Sequence, residues 1–171
     1  MSAFTIRRAV AQDFDQIWPT LKAIAAGGEV FAWPRDVSPE LARYLWMELP
    51  QLVCVAVSVG EGEGEILGSY YIKPNQMGGG AHVCNAGYAV SNAARGRGVA
   101  AALCEHSQQE ARALGFLAMQ FNFVVSSNEA AVHLWTRLGF ETVGRLPRAF
   151  DHPALGLVDA LVMFKWLGEP A

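Results

Sequence analysis

The stretch Ala94-Arg95-Gly96-Arg97-Gly98-Val99-Ala100 lies between an apolar, strand-forming run and an alanine-rich helical run. Two glycines beside two arginines, immediately before a helix, dictate a strand–turn–helix unit whose turn is open to an anion. Glycine lets the backbone approach a ligand closely. The first N–H groups of a helix have no partner within it, and with the helix dipole they attract phosphate.

Two familiar phosphate motifs do not fit. A Walker-type loop needs Lys and then Ser or Thr after its last glycine, whereas Val99 and Ala100 follow Gly98. A dinucleotide fingerprint needs three glycines in G-x-G-x-x-G spacing, and this stretch has only Gly96 and Gly98.

The rest of the chain alternates strand and helix signals. Phe4 to Arg8 reads as a strand, followed by a helix with Phe14, Ile17, Leu21 and Ile24 on one face and a kink or break expected at Pro19. Ser38-Pro39 opens a second helix, with Leu41, Leu45, Trp46 and Leu49 as its stripe. Leu52 to Val59 and Ile66 to Ile72 form a hairpin across the Gly60–Gly64 turn. Pro74 to Gly80 reads as a loop. His82 to Val90 is the next strand, with Gly87 suggesting a bulge. A helix from about Val99 to Leu114 ends at Gly115. Ala118 to Val125 is a strand, and Ser126-x-x-Glu129 caps a further helix burying Ala131, Leu134, Trp135 and Leu138. Glu141 to Leu146 and Val158 to Leu167 are the last strands, separated by a long loop from Pro147 to Gly156 that carries Arg148, Asp151 and His152. Strands outnumber helices and the two are interleaved, which predicts a three-layer α/β domain spanning residues 1–171.

Composition narrows the partners. The chain of 171 residues is 52% hydrophobic, 17% charged and carries a formal net charge of -3. That suits one domain with a substantial core and argues against general nucleic-acid binding. No apolar run reaches the roughly 20 residues that span a bilayer, and the first residues lack a signal-peptide core, so the protein reads as cytoplasmic. Cys54, Cys84 and Cys104 are odd in number and sit in apolar surroundings, which predicts buried reduced thiols. No zinc-ligand spacing occurs, so no metal is expected.

Arg95, Gly98 and Ala100 form Arg-x-x-Gly-x-Ala, and Asn128-Glu129-Ala130-Ala131-Val132-His133-Leu134-Trp135-Thr136-Arg137-Leu138-Gly139-Phe140 follows later. Together these resemble a GNAT-type N-acetyltransferase. The family's acetyl-CoA loop reads Gln/Arg-x-x-Gly-x-Gly/Ala, and its later helix reads Asn-x-x-Ala-x-x-Leu-Tyr-x-x-x-Gly-Phe. The resemblance is strongest over residues 85–140. It implies a mixed, mostly antiparallel sheet of about seven strands, splayed between the fourth and fifth. It also implies acetyl-CoA as co-substrate, a small-molecule amine as acceptor and room for a homodimer.

The resemblance places the pyrophosphate on Arg95, Gly96, Arg97, Gly98, Val99 and Ala100, and the oxyanion on the N–H of Val90 or of neighbouring Tyr88. Asn128 would lie near the pantetheine arm or serve the helix start. Trp135 stands where the family has its proton-donating tyrosine. An indole N–H donates a hydrogen bond but is no proton acid near neutral pH, so core packing is the alternative role. Asn85 and Asn122 are amides within apolar strands, where unsatisfied groups cost about 1–3 kcal/mol; they either grip the substrate or bond across the sheet. Glu29 and His82 are the candidate bases, with an ordered water chain as the alternative. His152 could touch substrate, while His106 and His133 read as packing or surface residues. Phe31, Trp33, Trp46 and Tyr88 could line an apolar acceptor pocket.

The expected activity is direct acetyl transfer to an amino acid or a related small amine, within a ternary complex. Two other readings share the motif: a non-catalytic acyl-CoA sensor, and a protein or peptide N-acetyltransferase.

Overall fold

In the computed structural model, which describes residues 4–60 and 64–168, the chain begins β1 (Phe4–Arg8), α1 (Phe14–Gly27), α2 (Pro39–Arg43), β2 (Leu52–Ser58) and β3 (Ile66–Pro74). It continues β4 (Val83–Val90), α3 (Val99–Ala113), β5 (Ala118–Val125), α4 (Glu129–Arg137), β6 (Glu141–His152) and β7 (Gly156–Trp166). The strands form one sheet in the order β1-β2-β3-β4-β5-β7-β6. Every neighbouring pair is antiparallel except β4 and β5, which are parallel.

Alternation along the strands sends side chains to two cores. Phe14, Ile17 and Leu21 of α1, with Ala42 and Trp46, cover Val55, Ile66 and Ala89 on one face. Val99, Leu103 and Cys104 of α3, with Trp135 of α4, cover Tyr70, Met119 and Phe121 on the other. The three-layer α/β arrangement matches the sequence expectation.

The parting of β4 from β5 positions the site. Each strand has eight residues. They pair only at Val83↔Ala118, Cys84↔Met119 and Asn85↔Gln120. Beyond that rung β4 stays with β3, and β5 follows β7 through an irregularity between Phe121 and Val124.

Several local expectations are corrected. The supposed loop from Pro147 to Gly156 is mostly strand: β6 reaches His152 and β7 starts at Gly156. The register shifts between Leu146 and Phe150, where Arg148 adopts φ 53°. The Asp159 carboxylate holds this irregularity by accepting Arg148 N–H at 2.9 Å and Arg145 Nη1 at 2.7 Å. Gly87 makes no bulge, since the β3–β4 ladder keeps its register from Gly68↔Val90 to Pro74↔Cys84. Glycine is needed there because the Tyr71 ring lies over it; a Cβ would sit 2.5 Å from Cε1.

α2 stops at Arg43 and passes into a π-helical turn, Tyr44–Glu48, which rotates the expected stripe. Ala42 and Trp46 point inward, and Leu41 and Leu49 are exposed. Pro19 does not break α1, which is assigned without interruption from Phe14 to Gly27; the proline is exposed, so the carbonyl it leaves unpaired can face water. The cap of α4 is Asn128, whose Oδ1 accepts Ala131 N–H at 3.3 Å, and not Ser126. Ser126 instead donates its N–H to the Asp159 carbonyl. Residues 61–63 of the expected Gly60–Gly64 turn lie outside the described residues.

Candidate active site

After β4 the chain makes one short turn and enters α3 through the glycine–arginine segment. Gly96 and Gly98 have φ 75° and 77°, a region that L side chains rarely adopt. Gly98 is the N-cap of α3, and no side chain caps the helix there. The first bond onto the cap runs from Ala102 N–H to the Gly98 carbonyl. The N–H groups of Val99, Ala100 and Ala101 precede it and open to the outside. Among the described residues, neither Arg95 nor Arg97 enters an ion pair or a side-chain hydrogen bond. Backbone donors and two arginines without an ion pair thus share one short exposed segment.

The donors on β4 follow from its ladder with β3. Ser91 N–H bonds the Leu67 carbonyl, and Asn75 N–H bonds the Val83 carbonyl. Antiparallel pairing alternates, so the odd-numbered residues of β4 exchange bonds with β3. The N–H groups of Tyr88 and Val90 therefore face the other way, into the gap left by β5. Both groups named from sequence as oxyanion donors point there.

Asn85 and Asn122 are bound within the sheet. Asn85 is buried; its Nδ2 donates to the Gln120 carbonyl at 3.0 Å, and its Oδ1 accepts the Tyr71 hydroxyl at 3.3 Å. Asn122 is exposed, donating to Asn75 Oδ1 at 2.7 Å and accepting from Gln120 Nε2 at 2.9 Å. These amides brace the rung where β4 and β5 part.

Tyr88 and Trp46 lie on opposite faces of the sheet, so they do not line one pocket. The Tyr88 hydroxyl meets Ser107 Oγ at 2.7 Å, and burial pushes its ionisation well above the ordinary phenol range. Its ring packs 4.9 Å from Trp135, which also packs 5.1 Å from Phe121. Trp135 therefore bridges β4 and β5 beneath α4. Its indole N–H has no partner among the described residues.

Two buried hydroxyls at the ends of the parted strands escaped the sequence reading. Ser91 Oγ, just after β4, and Ser127 Oγ, two residues past the end of β5, have no hydrogen-bond partner among the described residues. A buried hydroxyl left unpaired is costly, and both sit where a ligand carrying amides and phosphates would pass. These orphaned groups, the open cradle and the two arginines fit coenzyme A. The available signal was Ser91 directly after Val90 and the Ser126-Ser127 pair after Val125.

One cavity opens at the end of β4, and a second lies between the segment after α1 and the β6–β7 hairpin. The first, of about 200 Å³, is lined by Thr20, Ile24, Glu29, Val90, Asn92 and Arg95. It brings Glu29 to the cradle side. The other, of about 420 Å³, is lined by Phe31, Trp33, Arg35, Phe150, Asp151 and His152 among others. Phe31 and Trp33 pack on Trp46, Trp46 packs on Tyr71, and Tyr71 bonds Asn85. An aromatic run thus links this cavity to the branch point. His82 lies exposed just before β4, and neither cavity includes it.

The three cysteines are free and buried. Burial pushes the Cys84 thiol up to about 12 and Cys104 up to about 11, and raises Cys54. Among the described residues, no group of three or more His, Cys, Asp or Glu is placed to hold a metal, and no helix is long and apolar enough to cross a membrane.

A sheet parted between two parallel strands, with an anion cradle closing the first of them, defines an acyltransferase-type α/β domain. Residues 11–140 match the family model described as the acetyltransferase (GNAT) family. The chain belongs to that family. It is similar to a GCN5-related N-acetyltransferase from Kribbella flavida, with 42% identity, a TM-score of 0.90, and coverage of 96% of this chain and 98% of that one. A phosphinothricin acetyltransferase from Sinorhizobium meliloti, solved with acetyl-CoA, shares the fold with a TM-score of 0.83 at 22% identity, over 98% of this chain and 90% of that one. N-acetyltransferase aca1 of Schizosaccharomyces pombe is 38% identical over 79 residues, which are 46% of this chain and 38% of that protein. The matched part therefore spans well under half of that curated relative.

Proposed function

We propose that this protein transfers the acetyl group of acetyl-CoA to the amine of a small molecule, by direct attack in a ternary complex. The observation that carries the reading is the joint placement of the Gly96–Ala100 cradle and the inward N–H groups of Tyr88 and Val90. Both serve one gap, between β4 and β5. Acetyl-CoA supplies a thioester carbonyl as electrophile.

The chain's own residues divide the work. Gly96, Gly98, Val99 and Ala100 offer backbone donors to the pyrophosphate, and Arg95 and Arg97 add charge-assisted contacts. Asn128 Nδ2, Ser91 and Ser127 offer hydrogen bonds along the pantetheine arm. The Val90 N–H, with Tyr88 N–H beside it, donates to the oxygen that gains charge as the amine attacks; one such donor is worth about 3–4 kcal/mol in comparable enzymes. Trp135 offers an indole N–H near the departing sulfur. Glu29 is the carboxylate on the cradle-side cavity, and it takes the amine's proton through an ordered water. Asn85 and Asn122 act as positioning residues that hold the gap open. Burial keeps the Cys84 and Cys104 thiols protonated and poorly nucleophilic, which supports transfer without an acyl-cysteine.

The small acceptor is supported by the modest volume, about 420 Å³, of the aromatic-walled cavity at Phe31 and Trp33. The reading includes a cytoplasmic homodimer. Self-association is supported by exposed Val143, Leu146 and Leu157 on the hairpin that ends the sheet. Titration with acetyl-CoA, followed by assay of amine-dependent thiol release, tests the proposal. Binding without release on any amine would refute it.

A further inference from the structure

We infer that the acceptor amine carries an acid group, held by the guanidinium of Arg35 and the Nε2–H of His152. The inference rests on the acetyl-transfer reading above and names the acceptor's chemistry. Its basis is the polar set on a cavity that also carries three aromatic rings. Phe31, Trp33 and Phe150 supply apolar walls, while Arg35, Asp151 and His152 supply the polar groups.

Arg35 and His152 are held by their local structure. Arg35 Nε donates to the Ala26 carbonyl at 3.0 Å, and its stem packs against Gly28, where a Cβ would meet Cδ at 3.0 Å. The stem is thus fixed, and the terminal nitrogens have no partner among the described residues. They form a planar fork that matches a carboxylate. The His152 ring is buried, and its Nδ1 accepts N–H groups from Ala154 at 3.1 Å and Leu155 at 3.2 Å. Two donors on Nδ1 put the ring proton on Nε2. That N–H is the ring's remaining donor, and His152 is one of the residues lining the cavity. Asp151, the neighbour of His152 in β6, supplies the opposite charge, which suits the amine end of a zwitterion. One cation, one anion and one fixed donor on aromatic walls complement an amino acid better than an uncharged amine.

Two substitutions remove the recognition and keep the scaffold. Arg35→Gln places an amide nitrogen at the position of Nε and deletes the fork. His152→Asn places an acceptor at the position of Nδ1 and deletes the distal donor. The probes are methionine, leucine and phenylalanine, each beside its primary amide, titrated calorimetrically into protein saturated with coenzyme A. The expected result is tighter binding of the acids than of the amides by about tenfold or more in the wild type. Arg35→Gln should erase that preference and His152→Asn should reduce it, with coenzyme affinity unchanged in both. Equal or tighter binding of the amides, a preference that survives Arg35→Gln, or no binding by any acid would overturn the inference. Acid-selective binding without turnover would instead count against the acetyl-transfer reading.

Discussion

The side-chain amide of Asn85 donates to the backbone carbonyl of Gln120 at the last rung that β4 and β5 share. A side chain takes up a strand carbonyl at the point where the strands part. The same amide accepts the Tyr71 hydroxyl, and that ring lies over Gly87. The branch point is therefore locked from β3 and β5 together.

Asn85→Ala strips a partner from two part-buried groups, the Tyr71 hydroxyl and the Gln120 carbonyl. Denaturant unfolding should show a loss of about 1–3 kcal/mol. The KM for acetyl-CoA should rise while kcat at saturating coenzyme changes little, since Asn85 sets the gap and does not touch the reacting atoms. A fall in kcat alone would contradict that role.

Gly98→Trp places an L side chain at φ 77°, with open space around its Cβ. The strain costs roughly 1–2 kcal/mol, so the fold should survive with a lowered Tm. Stabilisation by coenzyme A should vanish, because the indole covers the first N–H groups of α3. Differential scanning fluorimetry with and without coenzyme A reads both effects.

Asp13 accepts Arg7 Nη1 at 2.7 Å, Arg7 Nη2 at 2.9 Å and Val10 N–H at 2.8 Å. The Arg7 hydrogen bonds hold its carboxyl below the usual range, with Val10 N–H and Coulomb attraction assisting against burial. A depressed folded value means that the stabilisation is complete above the unfolded pKa of about 3.9. It is lost as pH falls through the folded value. Asp13→Asn should lower Tm at neutral pH, and its gap to the wild type should close on acidification below about pH 4.

Val143 and Leu157 are exposed on the hairpin that ends the sheet. The wild type should elute with the mass of a dimer in light scattering, and Val143→Lys combined with Leu157→Lys should shift it to the monomer. A monomeric wild type would remove the homodimer from the account.

The sheet and its cradle were legible in the sequence because each rests on local signals. Strand-length apolar runs alternate with helical stripes, and Gly96 and Gly98 punctuate them before α3. What was not legible depends on partners far along the chain. Pro147 and Gly156 read as loop boundaries, yet Asp159 supplies the bonds that let β6 run past them. Ser126 has the right spacing for a cap, but its N–H is taken by the Asp159 carbonyl, and Asn128 becomes the cap. Tyr88 and Trp46 were grouped as aromatics, and only strand parity shows them on opposite faces. Arg35 and His152 meet on one cavity from elements 117 positions apart, a distance that no spacing rule spans.

The central claim is acetyl transfer at the gap between β4 and β5. It is tested most directly by incubating the protein with acetyl-CoA and a panel of amino acids and other small amines. Free thiol and the mass of each amine are followed together. The account predicts thiol release that requires an amine, with an equal amount of N-acetylated amine. Stabilisation by coenzyme A with no acetylated product from any amine would contradict it and leave a coenzyme-binding module in its place.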